Sequence, residues 1–303
     1  MDPSVSGRRA GVLMVLSAAV FGTVGFFVRR IGLPSAQIAL YRALMAILLL
    51  GAWLFAKKQS IPLKTLRREI PLLFLSGGAM GFNWILLFEA YRYTTVSAAT
   101  LAYYFAPVIV LFLSALFFRE RLTVLKVVCI VLSALGMVLI TGAEGAAAEA
   151  DHVKGVLLGL GAAVFYAAVM LINRAIRNVG GLHRTFLQFC AAASVLLPYV
   201  LLTGGFTPGP YDPAGILCLV TVGVVHTGIT YCMYFSALKD LPGQTAALLS
   251  YIDPLVAVVL SALMGEGITP RGITGGCMIL FSALVCQLPD RKKPAERKDA
   301  FRK

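Results

Sequence analysis

Charged residues are scarce in this chain. They make up 14% of its 303 residues, whereas hydrophobic residues make up 59%. A soluble globular protein carries about 25% charged residues, so this composition excludes the soluble class. The segments between the apolar runs are too short to fold as a separate soluble domain. The chain therefore belongs in a membrane.

The motifs of common enzyme and metal sites are also missing from the sequence. All six cysteines stand inside apolar runs without CxxC or Cys/His spacing, which indicates packing residues rather than a disulfide framework or a metal site. Paired metal ligands, an activated nucleophile and a nucleotide-binding loop are not recognisable. We therefore expect no cofactor, no enzymatic activity and no ATP-driven pumping by this chain alone.

The sequence has instead a series of apolar runs of about 20 residues, the length that spans a hydrocarbon layer of roughly 30 Å as an α-helix. These runs predict an all-α integral membrane protein rather than a barrel of short strands. The first run lacks a small-residue cleavage pattern, so we interpret it as a retained helix. Ten spans are predicted, at about residues 11–31, 35–56, 70–91, 95–117, 124–142, 154–173, 185–203, 214–237, 244–265 and 271–288.

Lysine and arginine are distributed unevenly between the two ends of these spans. With both termini in the cytoplasm, 21 of the 27 fall on the inner side, five on the outer side, and Arg42 within a span. Positive residues are retained on the cytoplasmic side, so this bias predicts that orientation. It also accounts for the net charge of +13 without nucleic acid. We expect the basic tail, residues 291–303, to lie in water or against anionic lipid head groups.

The two halves of the chain resemble each other. AAVF at 18–21 returns at 162–165, and TLAYYFAPVIVLFLSALFF at 100–118 aligns with ALLSYIDPLVAVVLSALMG at 247–265. This duplication predicts two five-helix repeats, residues 1–145 and 146–290. Because each repeat has an odd number of spans, the second enters the membrane from the opposite side. Inverted repeats offer two packings of similar energy, as alternating access requires.

These motifs resemble the drug/metabolite transporter superfamily, specifically its bacterial EamA-type ten-helix members. The resemblance covers residues 11–288. It rests on the two repeats, on the span ends YFAPVIVLFLSALFFRERLT (104–123) and YIDPLVAVVLSALMGEGIT (251–269), and on YRAL at 41–44. It implies a bacterial inner-membrane carrier of small metabolites, commonly amino acids or related compounds, and often an exporter.

Asp253 lies near the middle of the ninth predicted span. A carboxylate at that depth costs about 2.5–3.5 kcal/mol on insertion scales, so it should face protein or water. Pro254 and its repeat equivalent Pro107 predict helix kinks, because proline removes a backbone hydrogen bond. Ser250 shares a small polar stripe with Asp253. The carboxylate either binds a substrate amine or a proton, or caps freed backbone groups and holds a neighbouring helix.

Three further polar residues are predicted at similar depth or near the outer ends. His226, in the eighth span, either shares a proton or a cation with Asp253, or is neutral and satisfied by a backbone carbonyl. Arg42 and Glu89, in the second and third spans, either form an ion pair that gates or braces the outer side, or leave Arg42 to receive a substrate carboxylate.

Aromatic and amide side chains complete the predicted substrate pocket, with Trp84, Tyr104, Tyr251 and Asn83 as the deeper candidates. Glu120 and Glu266, each just before a threonine that begins the next helix, are interpreted as structural acids near helix starts. We expect a secondary transporter, most simply an exporter of amino acids including aromatic ones. The alternatives are a carrier of cationic or phosphorylated metabolites and a membrane-embedded enzyme or scaffold. Proton coupling and a monomeric or dimeric state stay open.

Overall fold

The computed structural model describes residues 3–58, 63–118, 123–141, 149–176, 179–206, 212–241, 243–267 and 269–287. Over these residues the chain is helical and contains no strand, which confirms the all-α class. The helices are α1 (Pro3–Gly22), α2 (Val24–Arg30), α3 (Ser35–Ala56), α4 (Leu63–Tyr93), α5 (Val96–Tyr103), α6 (Ala106–Phe118), α7 (Val124–Thr141), α8 (Glu149–Ala175), α9 (Gly181–Leu202), α10 (Pro213–Thr221), a π-helical segment (Val222–Ile229), α11 (Thr230–Asp240), α12 (Gly243–Ser250), α13 (Ile252–Leu263) and α14 (Pro270–Gln287). Glu120 and the basic tail lie outside the described residues.

Within the described ranges, seven helical segments are long and apolar enough to cross a membrane, and each coincides with a predicted span. Three shorter apolar helices, Val124–Ile140, Ile252–Leu263 and Pro270–Val285, lie where the fifth, ninth and tenth spans are expected. The structure therefore supports a multi-pass helical membrane protein. The count of ten spans and the cytoplasmic position of the termini stay predictions.

Two predicted spans are broken at equivalent positions. The fourth span is divided into α5 and α6 around Tyr104, and the ninth into α12 and α13 at Tyr251. Each break lies three residues before a proline, Pro107 or Pro254, because proline cannot donate to the carbonyl four residues earlier and its ring clashes with that carbonyl. At each break, near the middle of the span, one backbone carbonyl lacks its helical hydrogen-bond donor: that of Tyr103 before Pro107 and that of Ser250 before Pro254.

The largest helix interfaces join the first half of the chain to the second. α1 lies along α11, α12 and α13, and α8 lies along α4, α5 and α6. α3 packs against α9, and α7 packs against α14. The alignment of the halves matches α1 with α8 and the fourth span with the ninth. The contacts of α1 with α12 and α13 therefore correspond to those of α8 with α5 and α6.

Two glycines permit close approaches that follow the same reciprocal pattern. A Cβ atom at Gly81 of α4 would lie 3.1 Å from Leu196 of α9, and one at Gly228 of the π-helical segment would overlap Leu49 of α3. Gly81 and Gly228 are 147 residues apart, as are Leu49 and Leu196 and the two prolines at the helix breaks. This equal spacing is what a two-fold relation between the halves requires.

The main core lies between α2, α3, α4, α8 and α9, where Phe88, Leu196 and Phe189 are fully buried. Large apolar side chains also cover the outside of the bundle, and Leu48, Phe55 and Leu202 are more than 70% exposed. A soluble protein would hide such side chains, whereas a lipid-facing surface needs them. The polar residues described next are enclosed by this apolar shell.

Candidate functional site

Arg42 is a buried cation without a carboxylate partner in the described part of the chain. It projects from α3 and is only 5% exposed. Its Nε atom donates to Thr227 Oγ1 at 2.7 Å, and its guanidinium carbon lies 4.6 Å above the Trp84 ring and 5.6 Å from the Phe88 ring. The two terminal nitrogens have no hydrogen-bond partner among the described residues. They form a free pair of donors suited to a carboxylate or phosphate.

Asp253 forms the second charged group of the site, on the first turn of α13. Tyr104 Oη donates to Asp253 Oδ2 at 2.8 Å and lies 3.3 Å from the carbonyl oxygen of Ser250. That carbonyl is the one that Pro254 leaves without its helical donor, since Ser250 lies four residues earlier. The broken helix thus brings together a carboxylate, a carbonyl that lacks its helical donor and a tyrosine hydroxyl. These are acceptors for an ammonium group.

Several tyrosines lie near both Arg42 and Asp253. Tyr91, Tyr103 and Tyr231 are each within electrostatic range of both side chains. Tyr103 packs against Tyr166 with tilted rings, whose centroids are 5.2 Å apart. Tyr166 retains 38% of its surface, although it contacts Tyr103 of the first half. A cationic and an anionic group therefore have aromatic neighbours in common, and this aromatic region retains accessible surface.

The expected contact between His226 and Asp253 is not present among the described contacts. His226 is buried, and its Nε2 lies 2.8 Å from Thr23 Oγ1, while its Nδ1 lies 3.2 Å from the Thr221 carbonyl oxygen. A carbonyl can only accept, so Nδ1 carries a proton. Thr23 Oγ1 also lies 2.8 Å from the Val20 carbonyl oxygen, so its one hydroxyl proton is divided between that carbonyl and His226 Nε2. The similar depth of His226 and Asp253 did not predict a contact between them, because the π-helical segment turns His226 towards the α1–α2 break. The alternative of a carbonyl-satisfied histidine fits this geometry.

The expected ion pair between Arg42 and Glu89 is likewise not formed in this structure. Glu89 accepts from Ser35 Oγ at 2.5 Å and lies 3.6 Å from Nη1 of Arg92, on its own helix. Arg42 points instead to Thr227. Glu89 lies beside Ser35, at the start of α3 and seven residues before Arg42, and Arg42 faces the π-helical segment. Sequence spacing does not report which neighbour a side chain faces.

The remaining predicted pocket residues divide into two groups. Trp84 supplies the face under Arg42, and Tyr104 and Tyr251 stack with ring centroids 5.9 Å apart. Asn83 donates to the Ala162 carbonyl at 2.6 Å, and Ser250 Oγ donates to the Ala246 carbonyl at 2.9 Å. These two polar side chains therefore make structural contacts, Asn83 between α4 and α8 and Ser250 within α12.

The structure also shows a cluster that sequence reasoning missed, at the helix ends that the predicted orientation places on the outer side. Arg29 of α2 forms an ion pair with Glu266, which follows α13, and its other nitrogens donate to the carbonyls of Tyr91 and Thr94. Glu266 also accepts from the backbone N–H of Val96 at 3.0 Å. We call Arg29 and Glu266 the outer ion pair. Glu266 was predicted to lie near the start of α14, but it contacts the start of α5 instead. It therefore also joins the two halves of the chain.

Comparison with known proteins assigns this fold to a family. The model of the EamA-like transporter family matches the chain twice, over residues 9–142 and 153–287. The chain belongs to the EamA-like transporter family. Its two matched segments divide the chain close to the boundary expected from the duplication.

Relatives of the same length carry transporter names. The chain is 32% identical to the uncharacterized transporter YxxF of Bacillus subtilis over 97% of this chain and 95% of that protein. It is 26% identical to the uncharacterized inner membrane transporter YicL of Salmonella typhimurium over 95% of this chain and 99% of that one. A solved crystal structure with 21% identity covers 94% of this chain, and 99% of its own chain, with a TM-score of 0.65, which shows a shared fold. The protein is therefore a membrane transporter.

Proposed function

We propose that this protein is a secondary transporter that carries small zwitterionic metabolites, amino acids first among them, out of the bacterial cell across the inner membrane. The observation that carries the proposal is the buried guanidinium of Arg42, whose terminal nitrogens lack a partner in the described part of the chain. An unpaired buried charge costs several kcal/mol. A substrate carboxylate would offset that cost, which gives Arg42 a binding role.

Asp253 supports the zwitterion rather than a simple anion. Its carboxylate, with the Ser250 carbonyl and Tyr104, offers acceptors for a primary ammonium group. Arg42 and Asp253 are not bonded to each other, and Tyr103 and Tyr231 lie near both side chains. A molecule with both charges and an aromatic or aliphatic body satisfies both ends at once. A phosphorylated metabolite would satisfy Arg42 alone, so it is the second candidate.

Transport by alternating access is supported by the reciprocal packing of the two halves. The outer ion pair joins α2 to the residue that follows α13, so this contact must separate when the site opens outward. We therefore propose the outer ion pair, rather than an Arg42–Glu89 pair, as the outer gate. Export as the direction is supported by the family resemblance.

The test is the unfolding temperature of the detergent-purified protein with three matched ligands. We expect L-phenylalanine to raise it, and phenethylamine and N-acetyl-L-phenylalanine, which lack the carboxylate and the ammonium respectively, to raise it much less. A ligand at 100 times its Kd adds about 2.7 kcal/mol to the free energy of unfolding. Arg42→Gln and Asp253→Asn should each remove the response to the amino acid.

Two other outcomes are informative. Equal shifts with all three ligands would show that neither charge is recognised and would contradict the zwitterion site. A shift only with sugar phosphates or quaternary ammonium compounds, added as further members of the panel, would favour the second candidate or a cation carrier.

A further inference from the structure

Two side chains of the π-helical segment and the first side chain of α11 bond the carbonyl five residues earlier. His226 Nδ1 reaches the Thr221 carbonyl, Thr227 Oγ1 that of Val222 at 2.8 Å, and Thr230 Oγ1 that of Val225 at 2.7 Å. In an α-helix, serine and threonine bond the carbonyl four residues back. The wider turn therefore changes the direction in which these side chains point.

Thr227 has a defined role in this arrangement. Its hydroxyl donates its one proton to the Val222 carbonyl. Its oxygen therefore accepts from Arg42 Nε, 2.7 Å away, and cannot donate to it. The side chain is fully buried, and water does not compete for it. A hydroxyl with a free proton could rotate, whereas this one presents a fixed acceptor to the guanidinium.

The same segment lies unusually close to the helix that carries Arg42. Gly223 faces Met45 and Gly228 faces Leu49, and a Cβ atom at either glycine would overlap the α3 side chain. The two glycines flank Thr227 and bring its hydroxyl within reach of Arg42. The contact is thus built by the local backbone, not by the length of the arginine side chain alone.

The contact determines which edge of the guanidinium a ligand can use. A guanidinium offers two edges with parallel N–H donors, one formed by both terminal nitrogens and one that includes Nε. Thr227 occupies Nε, and Trp84 covers one face of the plane at 4.6 Å. The edge formed by the two terminal nitrogens is left, and it matches the two oxygens of a carboxylate.

We propose that Thr227 is a specificity-determining positioning residue, which holds the Arg42 guanidinium so that its terminal edge selects a carboxylate over an uncharged carbonyl group. This inference rests on the proposed function, since it requires that Arg42 meets the substrate carboxylate. It assigns a role to a residue that shows no chemical signal in the sequence.

The test compares binding of L-phenylalanine with binding of L-phenylalaninamide, which keeps the ammonium and the ring but lacks the carboxylate. Dissociation constants are measured on the full-length protein for wild type, Thr227→Val and Thr227→Ser. Valine has nearly the shape of threonine and cannot accept a hydrogen bond, whereas serine keeps the hydroxyl. We expect the preference for the acid to fall about tenfold in Thr227→Val, a change of roughly 1.4 kcal/mol, with binding of the amide unchanged. Thr227→Ser should keep the preference.

Each other outcome has a distinct meaning. Equal loss of acid and amide binding in Thr227→Val, or an unchanged preference, would overturn the positioning role and leave the proposed function intact. A wild-type protein that binds acid and amide equally would overturn the carboxylate site of Arg42 and this inference with it. If Thr227→Val is not recovered folded, Thr227→Ala removes the same acceptor without adding bulk, and the same comparison decides.

Discussion

Replacing Arg42 by methionine should stabilise the ligand-free protein while removing its binding of amino acids. Arg42 is 5% exposed and lacks a carboxylate partner among the described residues, and such a charge costs several kcal/mol. Against that cost stand the hydrogen bond to Thr227, about 1.5–3 kcal/mol, and the contact with Trp84, about 1–2 kcal/mol. Methionine keeps an apolar contact with the indole ring. With a cost of about 5 kcal/mol for the unpaired charge, the balance is a net gain of up to about 2.5 kcal/mol.

Arg29 provides the matched control. It is a partly exposed arginine with a carboxylate partner, and the side chains of Arg29 and Glu266 are 33% and 14% exposed. Removing one member of a fully buried pair costs about 3–5 kcal/mol, and the exposure of this one reduces the expected loss to about 2 kcal/mol. Arg29→Met should therefore destabilise the protein, opposite in sign to Arg42→Met.

The assay is denaturant unfolding of both variants beside the wild type in the same detergent, with and without L-phenylalanine. The reasoning fails if Arg42→Met loses as much stability as Arg29→Met, because Arg42 would then be a structural residue. It also fails if Arg42→Met keeps the full response to the amino acid. A gain in stability together with a lost response is typical of a binding residue that is maintained at a cost in stability.

Three further predictions concern other parts of the site and the bundle. Asp253→Asn should abolish uptake driven by a pH gradient in proteoliposomes but keep substrate exchange, because a neutral amide cannot take up the proton; unchanged gradient-driven uptake would contradict proton coupling there. A double-mutant cycle on Arg29 and Glu266 should give a coupling energy above about 0.5 kcal/mol, whereas additive losses would argue against the outer ion pair. Gly228→Ala should destabilise by about 1–3 kcal/mol, since its Cβ overlaps Leu49. Gly11→Ala, which meets no atom within 4 Å, is the control, and equal losses would refute this packing.

The helical segments were the part that sequence reasoning predicted best. Seven spans appear as long apolar helices, and the breaks at Tyr104 and Tyr251 lie where Pro107 and Pro254 remove a hydrogen bond. Both features depend on residues close together in the chain. The family assignment also agrees with the resemblance, because its motifs are local stretches around these breaks.

The partners of polar side chains were predicted less well. His226 was expected near Asp253 and Arg42 near Glu89, on the basis of depth alone, but His226 contacts Thr23 and Arg42 contacts Thr227. Depth follows from the count of residues along a span. The direction in which a side chain points around the helix axis depends on packing and on the π-helical turn. The local amino-acid composition did not predict that turn.

Apolar run length and proline position are read residue by residue, so the amino-acid sequence was enough to predict a multi-pass helical membrane protein. The contacts of Arg42 with Thr227 and Trp84, of Tyr104 with Asp253 and of Arg29 with Glu266 depend on tertiary packing. These contacts connect residues up to 237 positions apart. Their formation depends on how the two halves pack across each other, and the energy of that packing comes from many side chains at once, so no single motif encodes it.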